Sequence, residues 1–188
     1  MRKIALTAAV LALGVAGCNS PDPAEDTTET ATTETPAPAT AAASQATAML
    51  QDADGKAVGT ATATEEGGAV AISLKANGLP PGEHGVHVHM TGSCEGPDFK
   101  SAGGHWNPAN QGHGLENPPG QHAGDMPNLT VADDGTGTLE YRLIGGTFAG
   151  LMDADGSAFV VHAMKDDQTS DPSGNSGDRI ACGVFTAS

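Results

Sequence analysis

The chain has 188 residues, of which 23 are acidic and eight are Lys or Arg, so that its formal net charge is −15. A surface this acidic argues against nucleic acid as a partner, because the phosphate backbone binds basic surfaces. It also repels anionic substrates at long range, so a site for such a substrate needs a local positive charge.

The N-terminus has the features of a processing signal. Arg2 and Lys3 precede the apolar stretch Ile4–Val15, which is too short to span a bilayer as a mature helix. Small residues then lead to Cys18. We therefore predict a bacterial lipoprotein signal peptide over residues 1–17, with acylation of Cys18. An ordinary secretory signal, with an incidental cysteine, is the alternative.

Residues 18–45 are predicted to form a disordered tether. They are mostly Thr, Ala, Glu and Pro and contain almost no large apolar side chain, so they cannot bury enough surface to offset their ordering entropy. Residues 46–188 have the length of one folded domain. The prediction is a periplasmic domain of the bacterial cell envelope, tethered by lipid on the outside of the cytoplasmic membrane or in the outer membrane.

The folded region is predicted to be all-β. Short β-prone runs are separated by turn sequences such as Asp52–Gly55, and helical periodicity is missing from the sequence. Two long connections, Met90 to about Pro127 and Lys165 to about Ile180, contain most of the ligand-type residues, which indicates functional loops. The pattern favours a Greek-key β-sandwich or flattened barrel of eight strands. The predicted strands are 47–50, 58–64, 69–74, 85–89, 129–131, 138–143, 158–163 and 181–186.

The seven histidines are concentrated between His84 and His162. His87 and His89 are two residues apart on a predicted strand, so their side chains project from the same face. His162 ends another predicted strand and can complete the set. Imidazole nitrogens suit copper and zinc, and one carboxylate among several imidazoles suits zinc. The spacing therefore predicts a site for two metal ions.

Four segments resemble the copper,zinc superoxide dismutase family, in the family's order and across essentially the whole folded region. They are GEHGVHVH at 82–89, GHWNP at 104–108, HAGD at 122–125 and GNSGDRIACGV at 174–184. The resemblance implies superoxide as substrate and an enzyme that converts it to dioxygen and hydrogen peroxide by cycling copper between Cu(II) and Cu(I). Zinc would order the long loop.

The resemblance also implies the ligands of both metals. The implied copper ligands are His87, His89, His105 and His162. The implied zinc ligands are His105, His113, His122 and Asp125. His105 would bridge the metals and, on release from Cu(I), would carry a proton into the second half of the reaction. His84 matches a family histidine that binds no metal.

Three further positions are implied by the resemblance. Asp166 stands where the family has a carboxylate that joins a copper ligand to a zinc ligand, with Asp167 as the competing candidate. Arg179 would stand over the copper and attract the anionic substrate. Lys165 is the only lysine in its loop, whereas family members often carry more, so substrate guidance is expected to differ here.

With Cys18 as the lipid carrier, Cys94 and Cys182 remain as a pair in an exported domain, where a disulfide is the usual outcome; two free buried thiols are the alternative. A bridge there would help to fix the backbone near Arg179. The oligomeric state, monomer or homodimer, is left open. The rival function is a binding protein that sequesters copper or zinc without turnover.

Overall fold

The computed structural model describes residues 44–188. The predicted signal peptide, Cys18 and all but the end of the predicted tether lie outside these residues. Within the described part, no helix is long and apolar enough to cross a membrane.

Strands make up nearly all of the regular structure between residues 44 and 188. There is one helical turn, α1 (Phe148–Leu151), and one 3-10 turn (Lys100–Ala102). The strands are β1 (Gln45–Asp52), β2 (Ala57–Glu66), β3 (Ala69–Asn77), β4 (Gly82–His84), β5 (Val86–His89), β6 (Leu129–Val131), β7 (Thr136–Arg142), β8 (Ala158–His162) and β9 (Arg179–Ala187).

Seven of these strands form one antiparallel sheet in the order β5-β8-β9-β1-β2-β3-β7, and β4 pairs with β6 in a second sheet. The last strand, β9, returns to lie beside β1, which gives the sheet its Greek-key order. The predicted all-β Greek-key sandwich or flattened barrel is confirmed.

Alternating burial along the strands shows where the core lies. On β1, the buried positions are Ala46, Ala48 and Leu50, and their neighbours are more exposed. β3 repeats the pattern through Val70, Ile72, Leu74 and Ala76. Because successive side chains of a strand point to opposite faces, these residues line the inner face of the curled sheet.

Strands β5 and β8 differ from this pattern, because every residue in both is buried. Val86 and Val88 of β5 belong to the hydrophobic core. The alternate positions, His87 and His89, are equally buried but lie on the other face, beneath the two long loops. The fold therefore places the imidazoles of His87 and His89 in the buried region between the sheet and the two long loops.

The sequence predicts eight strands, and the structure has a ninth, the three-residue β4. The two predicted loops are the connections from β5 to β6 and from β8 to β9. A disulfide joins Cys94, in the first loop, to Cys182 of β9. The loop is thereby tied to the strand that begins with Arg179.

Candidate metal centre

Four buried histidines meet in one cluster. His87 and His89 come from β5, His162 from the end of β8 and His105 from the first long loop. That loop runs back beside β5, where Trp106 donates a backbone hydrogen bond to the carbonyl of Val88 (2.8 Å). One ring nitrogen from each histidine lies within 4.8 Å of the others. Strand geometry and the pairing of this loop with β5 thus bring the predicted copper ligands together.

The four histidines share an unusual feature, which is a buried ring nitrogen without a hydrogen-bond partner. These atoms are His87 Nδ1, His89 Nε2, His105 Nε2 and His162 Nε2. A buried polar atom without a partner costs free energy, and native structures contain few of them. Four such atoms in one cluster fit a metal ion that accepts their lone pairs.

The second nitrogen of each ring has a partner that fixes its tautomer. His89 Nδ1 donates to the carbonyl of Gly103 (3.0 Å), and His162 Nδ1 donates to the carbonyl of Gly177 (3.2 Å). His87 Nε2 donates to the carboxylate of Asp166 (2.6 Å). Such outer contacts set which nitrogen offers its lone pair to a metal.

A second group surrounds one carboxylate oxygen. Asp125 Oδ1 lies 2.9 Å from His105 Nδ1, 3.1 Å from His113 Nδ1 and 3.4 Å from His122 Nδ1. Metal–nitrogen bonds of about 2.0–2.1 Å in a tetrahedron place neighbouring ligand atoms roughly 3.3 Å apart. The observed spacings are close to that value, so this group has the size of a zinc site.

His87, His105, His113 and Asp125 also offer atoms within 4.8 Å of one another. His87 does not fit the group around Asp125. Its Nε2 is engaged by Asp166, and its Nδ1 is one of the four unpartnered atoms of the four-histidine cluster. His122 lies closer to the group around Asp125, with its Nδ1 3.3 Å from His105 Nδ1.

Asp166 links the two groups. One of its oxygens accepts from His87 Nε2, and both lie within 3.1 Å of His113 Nε2. Asp167, the competing candidate, is exposed and accepts backbone hydrogen bonds from Thr169 and Ser170 within its own loop. The geometry therefore gives the linking position to Asp166.

The histidine pKa values differ between the two groups because carboxylates offset the effect of burial in only one of them. It lowers the pKa of His87 to about 3 and that of His162 to about 4, and the neighbouring His105 lowers both further. Burial opposes protonation of His113 as well, but Asp125 and Asp166 outweigh it and raise its pKa to about 9. The pKa values of His89 and His105 are lowered as well, so the four-histidine cluster is neutral at pH 7, with its lone pairs available.

Arg179 lies at the edge of a cavity of about 200 Å³ that exposes His89, His105 and His162. Its guanidinium donates to the carbonyls of Phe99 (2.7 Å) and Gly103 (2.6 Å). Burial lowers its pKa, but the side chain remains a cation at neutral pH.

His84 is buried and contacts two backbone carbonyls, those of His162 and Pro80, each at 2.8 Å. It thus braces the end of β8 and stands apart from both metal groups. Sequence reasoning missed the carbonyls of Gly103 and Gly177, because every residue has a carbonyl and only the folded backbone shows which ones reach an imidazole.

Comparison with known proteins gives a consistent picture. The profile of the family described as copper/zinc superoxide dismutase (SODC) matches residues 57–185. A Cu-Zn superoxide dismutase of Aquifex aeolicus is 48% identical over 121 residues, which cover 61% of this chain and 72% of the relative. The superoxide dismutase-like protein YojM of Bacillus subtilis is 42% identical over 191 residues, covering 98% and 96%. A crystal structure of a SOD-like protein from Bacillus subtilis matches with a TM-score of 0.68 at 43% identity, over 74% of this chain and 97% of that one.

Proposed function

The chain belongs to the copper/zinc superoxide dismutase family, and from this premise we propose that the two histidine groups hold its metals. It is a superoxide dismutase, an oxidoreductase with copper and zinc as cofactors. The observation that carries the assignment of its site is the cluster of four buried, unpartnered imidazole nitrogens beside a cavity that reaches Arg179.

In this proposal, His87, His89, His105 and His162 hold copper through the nitrogens that lack protein partners. Zinc is held by the group around Asp125, which consists of His105, His113, His122 and Asp125. Support comes from the donor chemistry, since all-imidazole sites suit copper and three imidazoles with one carboxylate suit zinc.

His105 belongs to both groups and offers a different nitrogen to each. Its Nδ1 lies 2.9 Å from Asp125 Oδ1, on the zinc side, and its Nε2 is the unpartnered atom on the copper side. This arrangement supports a bridging role for His105.

Copper bound there would supply the redox chemistry by which one superoxide ion is oxidised to dioxygen and a second, with two protons, is reduced to hydrogen peroxide. Arg179 supplies a positive charge at the wall of the cavity and orients the anion there. His105 Nε2 would take up a proton between the two halves of the reaction and release it to the second superoxide ion, and water would supply the second proton. Asp125, beside its Nδ1, keeps the ring in position throughout.

The proposed location is the bacterial cell envelope, with the enzyme anchored through lipid on Cys18. Support comes from the charged start, short apolar stretch and small residues that precede Cys18. Fractionation of cells that produce the unmodified chain or Cys18→Ala tests the anchor. We expect the unmodified chain in the membrane fraction and the variant in the soluble fraction, and equal partition would contradict lipid anchoring.

The reaction and the copper ligands are tested by assaying the protein, loaded with copper and zinc, beside a His162→Ala variant. We expect fast superoxide consumption by the unmodified protein and its loss in the variant, together with a lower copper content and a retained zinc content. Full metal content with negligible turnover in the unmodified protein would refute the enzyme and favour the metal-sequestering function.

A further inference from the structure

Three of the four large apolar side chains that are exposed in the described part of the chain are methionines. Met90 is 53% exposed, Met164 is 54% exposed and Met49 is 67% exposed. Met90 directly follows β5, and Met164 lies two residues beyond the end of β8. Two of the three exposed thioethers therefore stand at the ends of the strands that carry His89 and His162.

Each of these two side chains lies over a glycine. A Cβ atom built on Gly103 would lie 3.1 Å from Met90 Cγ and 3.8 Å from Met90 Sδ. A Cβ atom built on Gly177 would lie 2.9 Å from Met164 Cε and 3.7 Å from Met164 Sδ. The two methionine side chains thus fill the space beside these glycines and cover the backbone there.

The two covered glycines are those whose carbonyls orient proposed copper ligands. The carbonyl of Gly103 accepts from His89 Nδ1 (3.0 Å), and the carbonyl of Gly177 accepts from His162 Nδ1 (3.2 Å). The other nitrogen of each ring, Nε2, is buried without a partner. A shift of either carbonyl would therefore turn an Nε2 atom away from the ion that it is proposed to bind.

The backbone joins each methionine to the same glycine segment. The N–H of Met90 donates to the carbonyl of Gly104 (2.9 Å), and the N–H of Met164 donates to the carbonyl of Ser176 (2.9 Å). These two acceptors are the immediate neighbours in sequence of the covered glycines. A chemical change at either sulfur thus acts on a segment that directly holds a proposed ligand.

We propose that Met90 and Met164 are oxidation sites through which hydrogen peroxide lowers the affinity of the four-histidine cluster for copper. This inference rests on the proposed function of that cluster. The oxidant is a product of superoxide dismutation itself. Peroxide transfers one oxygen atom to the thioether, so that an S–O bond forms and the O–O bond breaks. Sulfur loses two electrons, and the second oxygen leaves with both protons as water.

The sulfoxide changes the covering side chain from apolar to polar. Its oxygen is better solvated in water than against a glycine backbone, so the oxidised side chain would leave its place and loosen the carbonyl that it covered. Loss of an outer contact to a ligand typically costs about 10- to 100-fold in metal affinity, and we expect the lower value because the carbonyl is displaced and not removed. Methionine sulfoxide reductases restore the thioether, so the effect is reversible.

The test treats the full-length protein, loaded with zinc only, with hydrogen peroxide. Zinc has no redox chemistry, so the oxidation then involves only peroxide and the protein. Peptide mass spectrometry measures the sulfoxide at each methionine, and competition with a chelator measures the affinities for copper and zinc. We expect sulfoxide at Met49, Met90 and Met164 and little at Met126, which is fully buried.

Copper affinity should fall about tenfold after this treatment. Zinc affinity should stay the same, because the two covered carbonyls hold His89 and His162, which do not belong to the group around Asp125. Zinc retention therefore separates the proposed effect from general unfolding.

Leucine variants assign the effect to particular sulfurs. Leucine has a volume similar to that of methionine and no sulfur, so a protein with both Met90→Leu and Met164→Leu keeps an apolar cover that peroxide does not oxidise. Its copper affinity should be the same before and after treatment. The control is Met49→Leu, which removes an exposed thioether from β1 and should lose copper affinity as the unmodified protein does. Incubation with methionine sulfoxide reductases should restore the affinity of the oxidised protein.

An equal loss of copper affinity in the double leucine variant would overturn the inference. Intact Met90 and Met164 in a protein whose Met49 is oxidised would do so too, as would a loss of zinc that accompanies the loss of copper. Failure of the proposed function is distinguished by His162→Ala. If the untreated protein bound copper no more tightly than this variant, the four-histidine site itself would be wrong, and the inference would fall with it.

Discussion

Gly174 stands where a side chain would collide with the link between the two metal groups. A Cβ atom built on Gly174 would lie 1.7 Å from Asp166 Oδ1 and 2.8 Å from His113 Nε2. Real Cβ atoms essentially never come within 3.0 Å of another heavy atom, so the difference from 1.7 Å means that the oxygen would retreat by at least 1.3 Å. Asp166 could not then keep its short contacts with both His87 and His113.

We therefore expect Gly174→Ala to weaken metal binding through Asp166. Loss of such a carboxylate contact typically costs about 10- to 100-fold in metal affinity or activity. Gly174 also has a φ of +63°, and an alanine in this conformation costs about 1–2 kcal/mol of stability by itself. A control has to separate this backbone cost from the collision.

Gly67→Ala is the matched control. Gly67 has a φ of +58°. A Cβ atom built on Gly67 would have Arg142 Nη2 as its nearest neighbour, at 3.7 Å, so it would meet no collision. Both variants should lose similar stability from the backbone when the metal-free proteins are unfolded with denaturant. Only Gly174→Ala should then suffer the additional loss of zinc and copper affinity in competition with a chelator.

A double variant asks whether the effect passes through Asp166. If it does, Gly174→Ala should weaken metal binding little further in a protein that already carries Asp166→Asn, because contacting residues do not act additively. Unchanged metal affinity in Gly174→Ala, or full additivity with Asp166→Asn, would refute the reasoning.

Two further predictions follow from the site's charges. Arg179→Ala should retain both metals and lower turnover about tenfold at low ionic strength, with Arg179→Lys between the two and the gap closing as salt is added; unchanged turnover would remove its guiding role. The folded-state pKa values of His87 (about 3) and His162 (about 4) lie below their ordinary 6.5, so the metal-free protein should lose roughly 1.4 kcal/mol per histidine per pH unit as the pH falls below 6.5. The pKa of His113, raised to about 9, acts oppositely, and its stabilisation is lost as the pH rises from 6.5 to 9. Denaturant unfolding across this range should give maximal stability near pH 6.5, and a flat profile would contradict the burial argument.

The strand period explains why much of the four-histidine cluster was predictable. Two histidines at i and i+2 must share a face of β5, and His162 reaches the same face because β8 pairs with β5. The group around Asp125 could not be predicted in this way, since all four of its members lie in a loop without strand periodicity. Its prediction came from the family resemblance and not from geometry.

Other features had no sequence signal. Asp166 and Asp167 are adjacent acids in a loop, and only the folded backbone decides that the first points inward and the second caps its own turn. The short strand β4 was missed because its three residues follow Pro80 and Pro81, which mark a turn.

The carbonyl of Gly103 connects the proposed guiding arginine to a proposed metal ligand. It accepts hydrogen bonds from both His89 Nδ1 (3.0 Å) and Arg179 Nη2 (2.6 Å). The loop that carries this carbonyl is tied by the disulfide from Cys94 to Cys182, three residues beyond Arg179 on β9. One backbone oxygen thus orients both a proposed metal ligand and the proposed guiding guanidinium. A displacement of this loop would therefore disturb metal binding and substrate capture together.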